Sequence, residues 1–163
     1  NNISFIGMAA CGKSTIGKAV ANKIGISFVD TDLLIEQKYE ATLEEIKNKY
    51  DYKFLRHEEE KVILDLTSSN RIISTGGSAV YSVKSMEHLK KFSKVIYINT
   101  PLEIIMERID ISQKRGLAVP EGMSIPEIYS EREPLYQKYC EIILDGSRTI
   151  NQLVDETIKQ LYE

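Results

Sequence analysis

The segment from Gly7 to Ser14 constrains the fold of this chain more than any other part of its sequence. It reads GMAACGKS and matches the pattern G-x-x-x-x-G-K-[ST], with the β-rich run SFI before it and the helical pattern STIGKAVANKIG after it. Glycines at both ends allow backbone angles that point successive N–H groups into one concave anion site. The following helix adds the positive end of its dipole. The motif therefore predicts a loop that binds the phosphates of a nucleoside triphosphate.

The residues of this loop have distinct predicted roles. We expect Lys13 to reach the β- and γ-phosphates of ATP, and the hydroxyl of Ser14 to ligate Mg²⁺. A chance glycine turn is the alternative, but the strand and helix on either side argue against it. The predicted nucleotide-binding residues of the loop are Gly7, Ala10, Cys11, Gly12, Lys13, Ser14 and Thr15. The motif does not identify the group that accepts the phosphoryl.

Short β-rich runs alternate with longer amphipathic stretches, which is typical of an α/β domain with a parallel sheet. The length of 163 residues fits one domain, residues 1–163. Helix starts are predicted at Thr42, Thr100-Pro101 and Ser124 from their capping patterns. The predicted strands are Ile3–Ile6, Ile26–Val29, Arg71–Ser74, Lys94–Ile98 and Glu141–Leu144.

Residues of about 110–123 interrupt this alternation. The stretch contains Gly116, Pro120 and Gly122 and predicts a long loop. Long loops in compact domains are often lids or binding loops, so we expect a lid here.

Charge and apolar content restrict the class of partner. The formal charge of -3 and the pI of about 5.6 leave no basic footprint for general nucleic-acid binding. No apolar run approaches the length of a membrane span, and no signal peptide is expected before the first strand. The two cysteines, Cys11 and Cys140, have no metal-ligand spacing, and a reducing cytoplasmic location is expected. We therefore expect a small-molecule partner.

Asp30 and Asp32 follow the second predicted strand, at the sheet edge where ligands bind in parallel α/β folds. Asp30 is a candidate ligand of a metal-bound water. Asp32 is a candidate base or orienting group for an attacking hydroxyl. The alternative is structural, because an aspartate before LLIEQK is also a good helix N-cap.

Arginines near the predicted lid are candidates for holding an anion. Arg56 shares a helix face with Glu59, which would orient it, whereas the rest of RHEEEK is expected to be a solvated charged face. Arg115 is expected in the loop, where it would offset charge on the γ-phosphate. Any one arginine alone is better explained as a surface charge, but three near a predicted lid in an acidic protein favour function. Further candidates are Arg108 and Arg132, and the glycine pair Gly76-Gly77, whose N–H groups can bind a carboxylate or form a tight turn.

Taken in order, these motifs resemble the shikimate kinase family, which has the nucleoside-monophosphate-kinase fold. The resemblance covers essentially the whole chain and rests on GKST, the DTD of Asp30–Asp32, the pair Arg56 and Glu59, the glycine turn, Arg115, and Arg132 in R-x-P-L-Y. It implies a three-layer α/β/α domain with a five-stranded parallel sheet of order 2-3-1-4-5. It also implies ATP, Mg²⁺ and phosphorylation of the 3-hydroxyl of shikimate by a monomer.

The resemblance also implies residue roles. Lys13, Asp32 and Arg115 would be catalytic, and Ser14 and Asp30 would hold the metal. Arg108, Arg115 and Arg148 would contact the nucleotide, Arg108 and Arg148 beside the adenine. The acceptor-binding region would be about 31–60, and the acceptor would be held by Asp32, Arg56, Gly76, Gly77 and Arg132.

Three positions depart from the family pattern. Ser78 replaces a third glycine, Gly116 replaces the proline of Arg-Pro-Leu and is expected to loosen the lid hinge, and Cys11 is a small residue with a secondary redox interpretation. The first two touch the acceptor side. Homoserine or another small hydroxy acid therefore remains an alternative acceptor, as do a nucleoside-monophosphate kinase and a nucleotide-dependent regulator.

Overall fold

The computed structural model describes residues 2–67 and 69–162 of the chain. Its five parallel strands lie in the order β2-β3-β1-β4-β5, as the resemblance implied. Two strands match their predicted bounds, one is longer by a residue at its end, and two are shifted by one residue at both ends. The strands are β1 (Ile3–Ile6), β2 (Ser27–Asp30), β3 (Arg71–Ser74), β4 (Lys94–Asn99) and β5 (Ile142–Asp145).

Helices cover both faces of the sheet and give a three-layer α/β/α domain. Helices α1 and α9 pack together, and α1 also packs on β3, while α5 and α8 pack against β4. The helices are α1 (Lys13–Ile24), α2 (Thr31–Tyr39), α3 (Leu43–Lys49), α4 (Tyr52–Leu64), α5 (Val83–Phe92), α6 (Leu102–Arg108), α7 (Ile111–Arg115), α8 (Ile125–Tyr139) and α9 (Ile150–Leu161).

Strand β1 lies at the centre of the sheet, between β3 and β4. Ile3 is in register with Ile72 on one side and Lys94 on the other. Side chains of β1 are completely buried on both faces, which explains why its sequence is an almost continuous apolar run. This position places the loop after β1 at the middle of the sheet's carboxyl edge, where parallel α/β folds bind ligands.

A second, smaller hydrophobic cluster lies under α2, α3 and α4. It is formed by Ile35, Ile46, Leu55 and Ala118, with the Tyr39 and Phe54 rings packed at 5.6 Å between centroids. Ala118 comes from the segment after α7, so this segment is anchored in the apolar cluster rather than lying free on the surface. The predicted acceptor-binding region and the predicted lid therefore share a core.

The prediction of a long loop at about 110–123 is wrong in part. Asp110 and Gln113 form a capping box that begins helix α7, since each side chain bonds the backbone N–H of the other residue. Glycine and proline further along hid this signal. A smaller correction applies to α6, where Pro101 is the N-cap and the Thr100 hydroxyl instead donates to the Cys11 carbonyl at 2.8 Å.

Candidate active site

The loop from Gly7 to Gly12 forms a concave turn at the start of α1. Gly7 and Gly12 have φ values of 151° and 111°, and Ala10, with φ 64°, adopts the left-handed region without being glycine. Lys13 is buried, and its amino group donates to the carbonyl oxygens of Gly7 at 2.7 Å and Met8 at 2.9 Å. The loop is thus preformed around its own lysine, and its N–H groups suit an anion.

Ser14 and Asp30 meet at the floor of this turn. The Ser14 hydroxyl donates to Asp30 Oδ2 at 2.6 Å and lies 3.2 Å from the Ser74 hydroxyl. Asp30 also caps α2, because its Oδ1 accepts from the backbone N–H groups of Asp32 and Leu33. The N-cap interpretation therefore applies to Asp30, and one carboxylate holds the helix while presenting an oxygen beside Ser14.

Asp32 lies in the first turn of α2, close to other carboxylates. Burial and the nearby negative charges of Glu59 and Asp30 together raise its pKa to about 8, although Lys13 acts in the opposite direction. A carboxyl group whose pKa lies near neutral pH fits the predicted role as base or orienting group.

Glu59 supports the glycine turn rather than Arg56. It accepts hydrogen bonds from the Thr31 hydroxyl at 2.7 Å, the Gly76 N–H at 2.7 Å and the Ser78 hydroxyl at 3.1 Å. The predicted direct pairing of Glu59 with Arg56 is not found among the described residues. A Cβ on Gly76 would lie 2.5 Å from both carboxyl groups, those of Asp32 and Glu59, so only glycine allows this approach.

Arg132 reaches the other side of the same turn from α8. A Cβ on Gly77 would lie 2.6 Å from its Nη1. The side chain is 1% exposed, and in the described part of the chain neither Nη1 nor Nη2 has a hydrogen-bond partner. The Tyr136 hydroxyl donates to the Gly77 carbonyl at 2.7 Å, which fixes the turn against the same helix. A buried guanidinium with unpaired donors is suited to an anionic ligand.

Arg56 approaches from α4 and is half-buried. Its Nε donates to the carbonyl of Ala118 at 2.8 Å, and its guanidinium lies 3.8 Å from the centre of the Tyr81 ring. Burial lowers the pKa of Arg56, and the charge of Arg132 lowers it further, whereas Tyr81 raises it. The two predicted acceptor arginines are therefore neighbours, and the segment after α7 occupies one donor of Arg56.

Three adjoining cavities run through these residues. The largest has a volume of about 710 Å³ and extends from the phosphate loop to Asp32, with Arg108, Arg148 and Thr15 in its lining. A small cavity of about 40 Å³, lined by Asp32, Gly77 and Arg132, is covered by residues 116–118. Arg56 lines a third cavity, of about 220 Å³, together with Tyr81. The nucleotide side is therefore the most spacious part, and the space beside Arg132 is the smallest of the three.

Arg115 does not lie in these cavities. It is the last residue of α7 rather than part of an irregular loop, its side chain is 69% exposed, and its nearest ion-pair partner is Glu44 at 3.9 Å. Ser112, Gln113 and Gly116 line the large cavity instead. The expected catalytic role of Arg115 requires its side chain to turn inward, and that role stays a prediction.

The structure differs from two further expectations, one about the helix face around Arg56 and one about Gly116 as a hinge. The helix face around Arg56 is not solvated throughout, because Glu58 is buried between Lys38 and Lys61, at 3.3 and 3.2 Å. Gly116 is not an open hinge, since its N–H donates to the Ser112 carbonyl at 3.0 Å. A Cβ at this position would lie 3.0 Å from the Glu44 backbone nitrogen.

The sequence interpretation missed several residues of the site. Ser74 ends buried strand β3 beside Ser14, and a polar residue at the end of an apolar strand was a usable signal. Thr31 holds Glu59 and the Gly76 N–H together. Tyr81 contacts both acceptor arginines, although nothing in the local pattern distinguishes it from a packing residue.

A phosphate loop after the central strand of a 2-3-1-4-5 parallel sheet, facing buried arginines across the carboxyl edge, defines a P-loop kinase of the nucleoside-monophosphate-kinase fold. The family model for shikimate kinase matches residues 9–162. The chain belongs to the shikimate kinase family, and it is a kinase that transfers a phosphoryl group to a hydroxyl group.

Individual relatives agree with this assignment. A shikimate kinase of Clostridium botulinum is 36% identical over 159 residues, which cover 98% of this chain and 96% of that protein. The structure of shikimate kinase from Acinetobacter baumannii in complex with shikimate is 25% identical, with a TM-score of 0.84 over 99% of this chain and 92% of that chain. Shikimate kinase from Aquifex aeolicus has the same TM-score at 27% identity, over 99% and 96% of the two chains.

Proposed function

We propose that this protein transfers the γ-phosphoryl group of ATP to the 3-hydroxyl of shikimate, acting as a monomer in the cytoplasm. The observation that carries the proposal is Arg132, a buried guanidinium that lies beside Asp32 and Gly77 and whose two terminal nitrogens have no hydrogen-bond partner within residues 2–67 and 69–162. A carboxylate is the natural partner of such a group, because a planar guanidinium can bind both of its oxygens. Asp32 then lies on the same small cavity to receive a hydroxyl of the acceptor.

Ser14 and Asp30 are the proposed metal-binding residues. Their hydroxyl and carboxylate oxygens, 2.6 Å apart beside the phosphate loop, are the hard ligands that Mg²⁺ prefers. Within residues 2–67 and 69–162 no group of three or more His, Cys, Asp or Glu is arranged to hold a metal ion. Mg²⁺ commonly takes its remaining ligands from phosphates and water, so this pair fits it. When bound, the metal neutralises charge on the phosphates.

The reaction needs positioning more than covalent chemistry from the protein. Lys13 exchanges the carbonyl oxygens of Gly7 and Met8 for phosphate oxygens. Arg108 and Arg148 line the far end of the large cavity, where the adenine is proposed to lie. Arg56 and Arg132 hold the acceptor carboxylate, and Asp32 orients the attacking hydroxyl and receives its proton.

The segment after α7 excludes water. Residues 116–119 are buried and residues 116–118 line the acceptor cavity, where they would limit transfer of the phosphoryl group to water. Arg115, at the end of α7, is proposed to turn towards the transferring phosphoryl group. All of these residues come from one chain, so the site needs no second copy.

An acceptor panel tests the proposal. ADP release with Mg-ATP is measured with shikimate, homoserine, gluconate and nucleoside monophosphates, and the product is identified by mass. We expect turnover with shikimate, and none in Lys13→Ala, whose folding is checked by circular dichroism. Turnover with homoserine alone would mean that homoserine, and not shikimate, is the acceptor. Turnover with a nucleoside monophosphate alone would make this protein a nucleotide kinase. ATP hydrolysis unaffected by every acceptor would favour a regulator.

A further inference from the structure

Tyr81 lies between the two arginines proposed to hold the acceptor. It ends the short 3₁₀-helix Ala79–Tyr81, which follows the glycine turn directly. The next residue, Ser82, caps α5 and also donates to Glu60 at 2.5 Å. The backbone of Tyr81 is therefore held on both sides, and its ring has a defined place beside the acceptor cavity.

One face of the Tyr81 ring carries Arg56. The guanidinium carbon lies 3.8 Å from the ring centre, within the range of a cation–π contact, and a second ring, that of Tyr52, lies 4.9 Å away. The Nε of Arg56 is already bonded to Ala118. The stacked plane and this bond together orient the terminal nitrogens of Arg56.

The hydroxyl of the same ring contacts Arg132. Arg132 Nε lies 3.4 Å from the Tyr81 hydroxyl oxygen, which can accept its hydrogen, and the guanidinium carbon lies 5.5 Å from the ring centre. This contact uses the Nε, and among the residues that the structure describes Nη1 and Nη2 have no hydrogen-bond partner. The unpaired nitrogens are those that bind a carboxylate in a two-bond arrangement.

We propose that Tyr81 is the positioning residue that holds Arg56 and Arg132 together as one carboxylate clamp. The two guanidinium groups repel each other, and the negative face and hydroxyl oxygen of Tyr81 reduce that repulsion in the empty site. The inference rests on the proposed function and deepens it. It assigns acceptor-carboxylate recognition to a residue that does not itself touch the reacting atoms.

Kinetics with two acceptors separate this role from simple packing. The acceptors are shikimate and its analogue with a neutral hydroxymethyl group in place of the carboxylate. We expect Tyr81→Leu to raise KM for shikimate about 10-fold, the order of a lost cation–π contact together with a lost hydrogen bond. KM for ATP and the kinetics of the neutral analogue stay unchanged. Tyr81→Phe, which keeps the stacked ring, has a smaller effect.

Tyr50→Leu is the matched control. Tyr50 stacks on Phe54 at 4.0 Å between ring centres and belongs to an aromatic cluster away from both arginines. It should leave KM for shikimate as in the wild type. An equal loss of kcat/KM with both acceptors in Tyr81→Leu would show a packing role and overturn the proposal, as would an unchanged KM for shikimate.

An acceptor-free measurement keeps the test independent of the proposed function. In the empty protein, the ring current of Tyr81 should shift the NMR signals of the Arg56 side chain, and Tyr81→Leu should abolish that shift. Tyr81→Phe should retain it while moving the Arg132 Nε–H signal. If neither variant changes these signals, the clamp is wrong. If the wild type shows these shifts but does not phosphorylate shikimate, the acceptor assignment is wrong and the pairing of the two arginines still holds.

Discussion

The surroundings of Asp32 oppose the charged form of its carboxyl group. Burial, Glu59 and Asp30 raise its pKa from 3.8 to about 8. The folded state therefore keeps a proton on Asp32 that the unfolded chain has already released. The stabilising contribution of this proton is complete below pH 3.8 and is lost as the pH rises towards 8. A cation bound beside Asp32 would favour its charged form and lower its pKa again.

We expect Asp32→Asn to become progressively more stable than the wild type between about pH 4 and pH 8, because asparagine has no charge to bury. Urea unfolding of both proteins without ligands, at several pH values, measures the difference. The same substitution should lower kcat about 10²–10⁴-fold through loss of the proton acceptor. The control is Asp155→Asn, on an exposed ion pair. A stability difference that does not change with pH would contradict the raised pKa.

Residue chemistry was readable from the sequence where a motif carries it. The roles predicted for Lys13 and Ser14 follow from their spacing alone, and the structure places both in the first turn of α1, beside the preformed loop. The partner of Glu59 was not readable, because a shared helix face places it as well for Arg56 as for the turn at Gly76. The tertiary packing of the helix against the glycine turn decides between these two partners.

Helix α7 and the segment after it make up the least regular part of the molecule. Only five residues form α7, and its capping box at Asp110 supplies much of what holds it, since isolated short helices are marginal. Helix α8 begins with the same kind of capping box, at Ser124 and Glu127, but is 15 residues long and packs against β4. The two caps thus support very different structures.

Removal of each cap should affect a different property. Loss of a cap costs about 1 kcal/mol. Asp110→Ala should therefore shift the position of α7 and lower kcat with shikimate about 5-fold, with little change in Tm. Ser124→Ala should instead lower Tm by about 2–4 °C and leave kcat close to that of the wild type. Thermal melts and initial rates on both variants measure this. An equal loss of Tm in both would mean that α7 folds as part of the core.

Strands were predicted more accurately than this region for a physical reason. A strand covered on both faces appears in the sequence as an apolar run that ends at polar residues. The predicted bounds of Ile3–Ile6 and Arg71–Ser74 therefore match those of the structure. The short helix α7 buries none of its own residues, so it leaves no apolar period to detect. Its capping box was the remaining signal, and Gly116, Pro120 and Gly122 concealed it.

Across the whole molecule, the acceptor site is assembled from distant parts of the chain. Arg56 belongs to α4, the glycine turn follows β3, and Arg132 belongs to α8. Such a site exists only in the complete fold, so an acceptor that binds it stabilises the native state by mass action. At a concentration 100 times its dissociation constant the gain is about 2.7 kcal/mol.

We expect shikimate to raise the Tm of the wild type by about 5–10 °C at that concentration. Arg132→Met should lose this response. The empty variant should be more stable than the wild type by about 1–4 kcal/mol, because an apolar side chain replaces a buried charge with unpaired donors. Differential scanning fluorimetry with and without shikimate gives both values, and Arg108→Met, at an exposed position, is the control. A destabilised empty Arg132→Met would show that the charge is compensated in the fold.

The order of these parts along the chain has a consequence for biosynthesis. The phosphate loop follows β1, and translation of the central strands β1, β3 and β4 is complete at Asn99. Arg132 is translated only afterwards. The nascent chain therefore contains the phosphate loop, Asp32 and Arg56 before Arg132 has been translated. A product terminated before α8 would carry the phosphate loop but would lack one of the two arginines proposed to bind the acceptor carboxylate.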